Sequence, residues 1–419
     1  MARTLTPLDA HTIINSMVEQ SQGVTSLTAT DTSSFVSIGE AFLASGVENT
    51  LNALSLVLLR TMIASRPYQG KLGLINSIST DTYSHRIRKI SYYGKPAYAA
   101  GDWNTDVFTN LAEGFDNGTN PAGSPLVDQS QKSMWEQVPA IPLEWNFAGS
   151  SVWQDGITRY EYQVRQAFRD EASFNAFVAG FLQEKANDIE QQKESFRRIN
   201  LLNAMAGVYD IGNANAVNLT SEFNTFYNLA TPLTTQELLT DHLKEFMEYL
   251  TFRIRTDSDR LTYRTTSYHW SPTRLDGLEL LRHTPKSKQK LFLYNPLINQ
   301  MRATVLPEIF NPQYLSIENY EGVDFWQSFD TPMGLSITPA VPGTGGNAGT
   351  QVQGNAVALD NVVGFLFDTD ALMVDFQLDT AATTPLEARK HYTTTWYSIA
   401  RNAICDYTEN MILYYMDDN

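Results

Sequence analysis

The sequence is poor in the residues that build covalent or metal-based sites. It has one cysteine in 419 residues, so no disulfide can form within the chain, and this usage fits a reducing compartment. The six histidines are scattered without the spacing of a zinc site, and no Gly-x-Ser-x-Gly motif is present. We therefore expect no catalytic residue, no metal site and no cofactor.

Long apolar runs are also lacking. The longest candidate, "ALSLVLLRTMIA" (53–64), is interrupted by Arg60 and is too short to span a bilayer. The opening "MARTLTPLDAHTIINSM" lacks the basic-then-apolar pattern of an export signal. These features predict a protein that neither crosses a membrane nor is exported by a signal peptide.

Charge is scarce and mostly negative. Asp, Glu, Lys and Arg make up 18% of the residues, and the net charge is −16. Residues 241–290 carry +3, whereas 291–419 carry −11. Such a balance makes the protein a poor candidate for tight binding to a phosphate backbone, because that affinity depends on Lys and Arg. Neutral polar residues and aromatics replace the missing charge, and this composition suits a protein whose surface is largely covered by other protein.

The segment 84–147 reads as two extended strands joined by an irregular tip. "SHRIRKISYY" (84–93) alternates as a strand does, and two prolines keep "KSMWEQVPAIPLEWNF" (132–147) extended. The tip, 95–131, is rich in Gly, Asn, Asp and Pro. Two interpretations remain open. The hairpin is either a satellite domain packed on its own tryptophans or an arm that lies on another subunit.

The chain after the hairpin shows helical periodicity. The stripe Phe174, Phe181, Ile189 and Phe196 predicts one long helix from Ser173, taken as its N-cap, to Ala206. A second helix is predicted over 235–254, and a strand, "KLFLYN", over 290–295. Residues 1–35 are Ser/Thr-rich and read as an arm, while 259–290 form an irregular basic insertion.

Four features of the sequence are candidates for a catalytic or binding role. "PGTGGNAG" lacks the Lys-Ser/Thr of a phosphate loop and reads as a surface loop. The carboxylates of "DTD" (368–370) and "DFQLD" read as acidic turns, and Cys405 reads as a small buried residue. Two hypotheses remain, a self-assembling shell subunit and a carbohydrate-active hydrolase with an aromatic-lined groove. The aromatics are spread along extended segments rather than gathered at convergent carboxylates, which favours the shell subunit.

The order of the segments resembles the major capsid proteins of tailed bacteriophages with the Hong Kong 97 (Johnson) fold. The residue pattern of three segments is similar to that of the capsid proteins of small, protein-primed podoviruses. These segments are "HRIRKISYY", "ASFNAFVAGFLQEKANDIEQQKESFRRINLL" and "KLFLYNPLINQMRATVLPEIFNPQYL". The resemblance implies an α+β fold in five parts: an N-terminal arm and helix (1–83), an E-loop hairpin (84–147), a peripheral domain with a spine helix (148–257), an axial domain with insertions (258–375), and a return to the peripheral sheet (376–419).

The resemblance also implies the function and partners. The protein would be a coat protein, not an enzyme, whose copies form hexamers and pentamers in an icosahedral shell around a DNA genome. It would be assembled in the host cytoplasm with scaffolding and portal proteins and reside in the virion, with only weak non-specific contact to DNA. The E-loop residues expected at contacts between subunits are Arg86, Arg88, Tyr92, Trp103 and Trp135. The expected spine-helix core is Phe174, Phe181, Ile189 and Phe196.

The chain ends on the apolar run "MILYYM" (411–416). In the resembling fold the last strand returns to the peripheral sheet beside the spine helix. An unbroken apolar strand is covered on both faces. Met411, Leu413 and Tyr415 are therefore expected to face one side, and Ile412, Tyr414 and Met416 the other.

Overall fold

The fold was determined from a computed structural model, which describes residues 7–22, 28–44, 53, 70–78, 86–92, 142–148, 151–212, 215–271, 280–304, 319–343 and 350–418. The chain divides into two compact units. One unit contains residues 1–87, 147–270 and 282–419, and the other contains residues 88–146 and 271–281. The larger unit includes the segment expected to form the peripheral domain and the segment expected to form the axial domain except residues 271–281.

The described part of the chain contains helices and strands in mixed order. The helices are α1 (Pro7–Gln22), α2 (Thr32–Ala44), α3 (Glu161–Ala167), α4 (Glu171–Ile211), α5 (Leu219–Phe226), α6 (Thr235–Thr240), α7 (Leu243–Arg260) and α8 (Asn295–Thr304). The first seven strands are β1 (Asn76–Ile78), β2 (Arg86–Tyr92), β3 (Pro142–Ala148), β4 (Ser151–Tyr160), β5 (Ala216–Asn218), β6 (Gln289–Tyr294) and β7 (Asn319–Val323). The remaining strands are β8 (Leu335–Ile337), β9 (Ala340–Pro342), β10 (Gln351–Gln353), β11 (Val357–Leu359), β12 (Asn361–Asp368), β13 (Leu372–Thr383), β14 (Tyr392–Cys405) and β15 (Met411–Met416).

A five-stranded sheet with the order β5-β15-β12-β6-β7 lies at the centre of the larger unit. One face packs Phe292, Phe365 and Leu413 against the C-terminal half of α4. The other face packs Leu291, Ile412 and residues of α5, α7 and α8 into a second cluster. Because both faces are covered, the closing strand β15 carries apolar and aromatic side chains at every position, and β12 and β6 are largely apolar between their ends.

The position of the closing strand corrects one expectation. β13 and β14 lie in a four-stranded sheet with the order β1-β13-β14-β4, but β15 pairs with β12 and β5 in the five-stranded sheet. Segment 376–419 is therefore divided between two sheets. The facing is as expected, since Met411 and Leu413 join the cluster beside α4 and Ile412, Tyr414 and Met416 join the opposite one. The apolar run predicted that both faces of β15 are buried, but it did not predict the sheet in which β15 lies.

Helix α4 is longer than expected. It runs for 41 residues, which is about 62 Å at the usual rise per residue. Its N-cap is Asp170 and not Ser173, because the Asp170 carboxylate accepts a hydrogen bond from the Ser173 amide at 2.7 Å. Asn200, buried on this helix, donates to the carbonyls of Met373 and Ile404, at 3.1 Å each, and so joins α4 to β13 and β14.

The N-terminal residues also differ from expectation. Residues 7–22 form a helix rather than an extended arm, and Ala10, Ile14 and Met17 are buried against α2 and the start of α4. The apolar residues at helical spacing outweigh the high Ser/Thr content of this segment. Apolar residues at helical spacing over 37–64 predict a helix, and within this range the structure describes only the C-terminal part of α2 and Ala53.

Two further expectations need correction. The helix expected over 235–254 is divided into α6 and α7, because the backbone leaves helical geometry at His242 (φ −114°, ψ 25°). The segment "LSIENYEGVDFWQSF" (315–329) predicts a strand, a turn and a second strand. Among its described residues, 319–323 form β7 and 324–329 are irregular, so the second strand is not formed. The irregular character expected for 259–290 holds for the described residues 262–271 and 280–285, which form bends and isolated bridges.

Candidate subunit-contact surfaces

The hairpin strands β2 and β3 form a two-stranded sheet of their own. Along β2, Arg88, Ile90 and Tyr92 are exposed, while Ile87 and Lys89 are half-buried and Ser91 is buried. Ile90 keeps 50% and Tyr92 keeps 59% of its surface in contact with solvent. The alternation is the one expected from the sequence, and it gives the hairpin one face with exposed apolar side chains.

The arginine on this face already has a partner within its own chain. The Arg88 guanidinium donates to the Glu144 carboxylate on β3, with 2.7 Å between Nη2 and Oε2. Side chains of both residues are accessible to solvent, so the pair contributes little stability. It nevertheless pairs the positive charge of Arg88 with a negative one. Of the other residues expected at contacts, Arg86 has a described backbone but no described side chain, and Trp103 and Trp135 lie outside the described residues.

A second exposed surface lies on β4 and β14, and the sequence did not single it out. Cross-strand pairs bring together Gln154 with Ser398 and Thr158 with Thr394, each pair linked by a side-chain hydrogen bond. Between them, Gly156 lies opposite Trp396, whose indole is 44% exposed. A Cβ atom on residue 156 would lie 3.1 Å from the indole ring, so any larger residue would require the ring to shift by a few tenths of an ångström. This part of the sheet surface carries no charged side chain.

The expected core of the long helix is placed as follows. Phe174 is fully buried and its ring lies 5.3 Å from that of Phe35 and 5.2 Å from that of Phe168. Ile189 is buried, and Phe196 is half-buried beside Phe376 with the Arg401 guanidinium over its ring. The side chain of Phe181 lies outside the described residues.

Buried ionic groups are held by neighbouring side chains. Lys185 is buried on α4 and contacts the Asp155 carboxylate of β4, and burial lowers the pKa of its ammonium group. Asp257 is fully buried on α7, pairs with Arg253 at 3.0 Å and accepts a hydrogen bond from Tyr414. Burial raises the pKa of the Asp257 carboxyl group. These groups link elements of the core rather than face a cleft.

The "DTD" carboxylates and Cys405 take part in local structure, whereas residues 344–349 of "PGTGGNAG" lie outside the described residues. Asp368 accepts a hydrogen bond from the Thr284 hydroxyl at 2.7 Å, and Asp370 pairs with Lys288 at 2.8 Å. Burial raises the pKa of the Cys405 thiol to about 12, so the reactive thiolate is disfavoured. Among the residues that the structure describes, no group of three His, Cys, Asp or Glu side chains is placed to hold a metal ion. No helix within the described ranges is both long and apolar enough to cross a membrane.

The comparisons with known proteins define the class. A family model described as Phi29-like phage major capsid protein matches residues 156–415, more than half of the chain. The protein is therefore a phage capsid protein, a coat protein that forms the shell of the virion. More specifically, the chain belongs to the family of Phi29-like phage major capsid proteins. The match gives no support to the hydrolase alternative.

Solved capsid structures show a distant likeness. A chain in the capsid of Staphylococcus phage Andhra matches with 12% identity and a TM-score of 0.46, covering 83% of this chain and 84% of that chain. The mature capsid of bacteriophage PhiM1 matches with 9% identity and a TM-score of 0.41, covering 84% and 88%. The capsid of Myoviridae phage XM1 matches with 8% identity and a TM-score of 0.38, covering 82% and 90%. No curated protein sequence matches significantly. The identification rests on the family match, because TM-scores this low do not establish a shared fold.

Proposed function

We propose that many copies of this chain tile an icosahedral shell with the subunit organisation of the Hong Kong 97 fold, as hexamers and pentamers around a DNA genome. The family match carries this proposal. Repeated contacts between identical subunits close a shell, and multivalency makes the lattice strong even where each contact is weak. The protein acts as a structural subunit and not as an enzyme. Assembly takes place in the host cytoplasm, together with scaffolding and portal proteins.

In this organisation the hairpin 84–147 is the E-loop and α4 is the spine of the peripheral domain. Two observations support the assignment. Residues 88–146 group with 271–281 in a unit other than the one that contains α4, and α4 packs along both sheets of the larger unit. We assign residues from about 258 onward, including β6 and β12, to the axial domain. We add β15 to this domain because it pairs with β12. The peripheral sheet then consists of β4, β13 and β14 with the short β1.

The exposed face of the hairpin is proposed to lie on a neighbouring subunit. Ile90 and Tyr92 are half or more exposed, which an isolated two-stranded sheet in water does not favour. Glu144 pairs with Arg88 on this face, so no unpaired carboxylate of that pair opposes a neighbouring subunit with a net negative charge. Trp103 and Trp135 are proposed to contribute to the same contact.

The net charge of −16 is consistent with a container for DNA. An acidic wall holds packaged DNA without tight adhesion, since affinity for phosphates depends on Lys and Arg. Contact with the genome is therefore proposed to be weak and non-specific. The basic segment 241–290 is the part of the chain best suited to it.

The hairpin contact can be tested by substitution. Ile90→Ser with Tyr92→Ser should leave the circular dichroism spectrum and melting temperature unchanged, while the yield of shells falls at least several-fold because an apolar contact is lost. Tyr162→Ser, a change at a tyrosine outside the hairpin with the same 59% exposure as Tyr92, is the matched control and should assemble as the unmodified protein does. Normal shell yield from the double variant would show that this face does not contact another subunit.

A further inference from the structure

Five aromatic side chains on α5 and α7 form a continuous cluster at the protein surface. We name Phe223, Phe226, Tyr227, Tyr249 and Phe252 the aromatic patch. Phe223 and Tyr249 form its buried base, whereas Phe226, Tyr227 and Phe252 are 55%, 45% and 50% exposed. The ring centroids of Phe226 lie 5.3 Å from Tyr249 and 5.4 Å from Phe252. Exposed apolar patches of this kind mark sites of association.

The backbone beneath the patch is fixed. The Asn224 side chain donates to the Leu233 carbonyl and accepts from the Leu233 amide, both at 2.9 Å, and so closes the loop that follows α5. The Leu229 amide adds a hydrogen bond to the Asn224 carbonyl. The exposed rings are therefore held in place before any partner arrives, which reduces the entropy lost on association.

The patch itself is uncharged, and charged residues lie only at its edge. Residues 223–236, "FNTFYNLATPLTTQ", contain no charged residue. At the edge, Glu222 pairs with Arg253 at 3.0 Å. Along α7, the exposed residues Glu245, Glu248 and Arg255 lie near Phe252 in helical spacing. The patch is thus an uncharged apolar surface on a chain of net charge −16.

We propose that the aromatic patch is a contact between copies of this chain within the shell, with a second copy as its occupant. Charge is the reason for choosing this occupant. Two copies at −16 each repel one another over a screening length of about 8 Å at physiological ionic strength, so they approach most easily where both surfaces are neutral. Rigid aromatic side chains then supply the short-range attraction, as in the centres of protein interfaces. The inference rests on the proposed assembly of the chain into a closed shell.

Substitution tests the contribution of the patch to assembly. Phe226→Ser with Phe252→Ser should reduce the fraction of protein in shells by about tenfold at a fixed concentration, as expected for interface hot spots. Tyr263→Ser is the matched control, because Tyr263 is 69% exposed and lies outside the patch. Circular dichroism and thermal melting should be unchanged in both variants. Normal assembly of the double variant would overturn the inference.

Photocrosslinking identifies the occupant without a loss of folding. Benzoylphenylalanine in place of Phe226, in otherwise unmodified shells, should give an adduct with the mass of two copies of this chain. The same probe at Tyr263 should give less of it. An adduct to any other protein, or none, would overturn the choice of a second copy. If the unmodified protein forms no shells or capsomers under any condition, the proposed function itself is wrong. If the Phe226→Ser, Phe252→Ser variant forms normal shells, only the inference about the patch is wrong.

Discussion

The phenolic oxygen of Tyr414 donates a hydrogen bond to the Asp257 carboxylate, with 3.0 Å between the two oxygen atoms. Tyr414 lies in the closing strand β15, and Asp257 lies on α7. Both residues are fully buried. The last strand of the chain is therefore attached to the sheet by its backbone and to the helical layer by a polar contact inside the core.

Removing this contact should destabilise the folded subunit. Tyr414→Phe keeps the ring but leaves the buried carboxylate with one fewer donor, which should lower the free energy of unfolding by about 1.5–3 kcal/mol near neutral pH. Urea unfolding of unassembled protein measures the change. Tyr415→Phe is the control, because Tyr415 lies on the opposite face of β15 and its ring packs edge-on against Tyr209. An equal loss in both variants would contradict a specific role for the Asp257 contact.

The same contact has a pH signature. Burial raises the pKa of the Asp257 carboxyl group in the folded state above its value in the unfolded chain. The shift itself therefore stabilises the folded state at pH values below the unfolded pKa, and this stabilisation is lost as the pH rises through the folded pKa. The Tyr414 hydrogen bond lowers that pKa and opposes the loss. The cost of Tyr414→Phe should therefore shrink as pH falls through the folded pKa of Asp257. A cost that grows on acidification would contradict this account.

Phe174 provides a test of the core at the start of the long helix. Phe174→Ala removes a fully buried ring between Phe35 and Phe168 and should cost about 3–5 kcal/mol. Ile199→Ala, on the same helix at 54% exposure, should change stability by less than about 0.5 kcal/mol. Phe181→Ala is predicted from the helical stripe to behave as Phe174→Ala does. Similar melting temperatures for Phe174→Ala and Ile199→Ala would place Phe174 outside the core.

Much of the fold could be predicted from periodicity because burial imposes it directly. The long helix, the strand at 290–295 and the two-sided burial of 411–416 follow from apolar spacing alone. The sheet that receives β15 could not be predicted, since an apolar strand is equally suited to any covered position. The helix at 7–22 was missed because its Ser and Thr residues concealed the spacing of Ile13, Ile14 and Met17.

The candidate contact surfaces were only partly predictable. Alternation in β2 indicated the face that bears Arg88, Ile90 and Tyr92. It could not show that Arg88 pairs with Glu144, which is 56 residues distant in sequence. The aromatic patch was also beyond sequence reasoning. Phe226 and Phe252 lie on different helices, so their contact is not visible in the sequence. Helical spacing also does not distinguish an exposed aromatic residue from a buried one.

The tip of the hairpin should matter for assembly and not for the stability of the core. Replacing residues 96–130, which lie outside the described residues, with a short Gly/Ser linker should leave the main melting transition nearly unchanged. Shells should become irregular or fail to form. Calorimetry and electron microscopy of the same preparation measure both effects. Global unfolding of the truncated protein would show that the tip is part of the core.

Charge reversal on β2 distinguishes two roles for its arginines. Arg86→Glu with Arg88→Glu should suppress assembly, most clearly at low salt, while leaving the circular dichroism spectrum intact. Adding Glu144→Arg restores a charge pair within the hairpin. Recovery of assembly would assign Arg88 to the hairpin itself, and continued failure would assign the arginines to carboxylates of a neighbouring subunit. Normal assembly of the double variant at low salt would exclude both roles.

A three-dimensional reconstruction by electron cryomicroscopy, from the protein purified or expressed with its scaffold, tests the central claim most directly. The account predicts closed icosahedral shells in which the 84–147 hairpin of each subunit lies on a neighbouring subunit. Particles in which the hairpin folds back onto its own subunit would contradict the proposed organisation. A monodisperse monomer that never assembles would contradict the function.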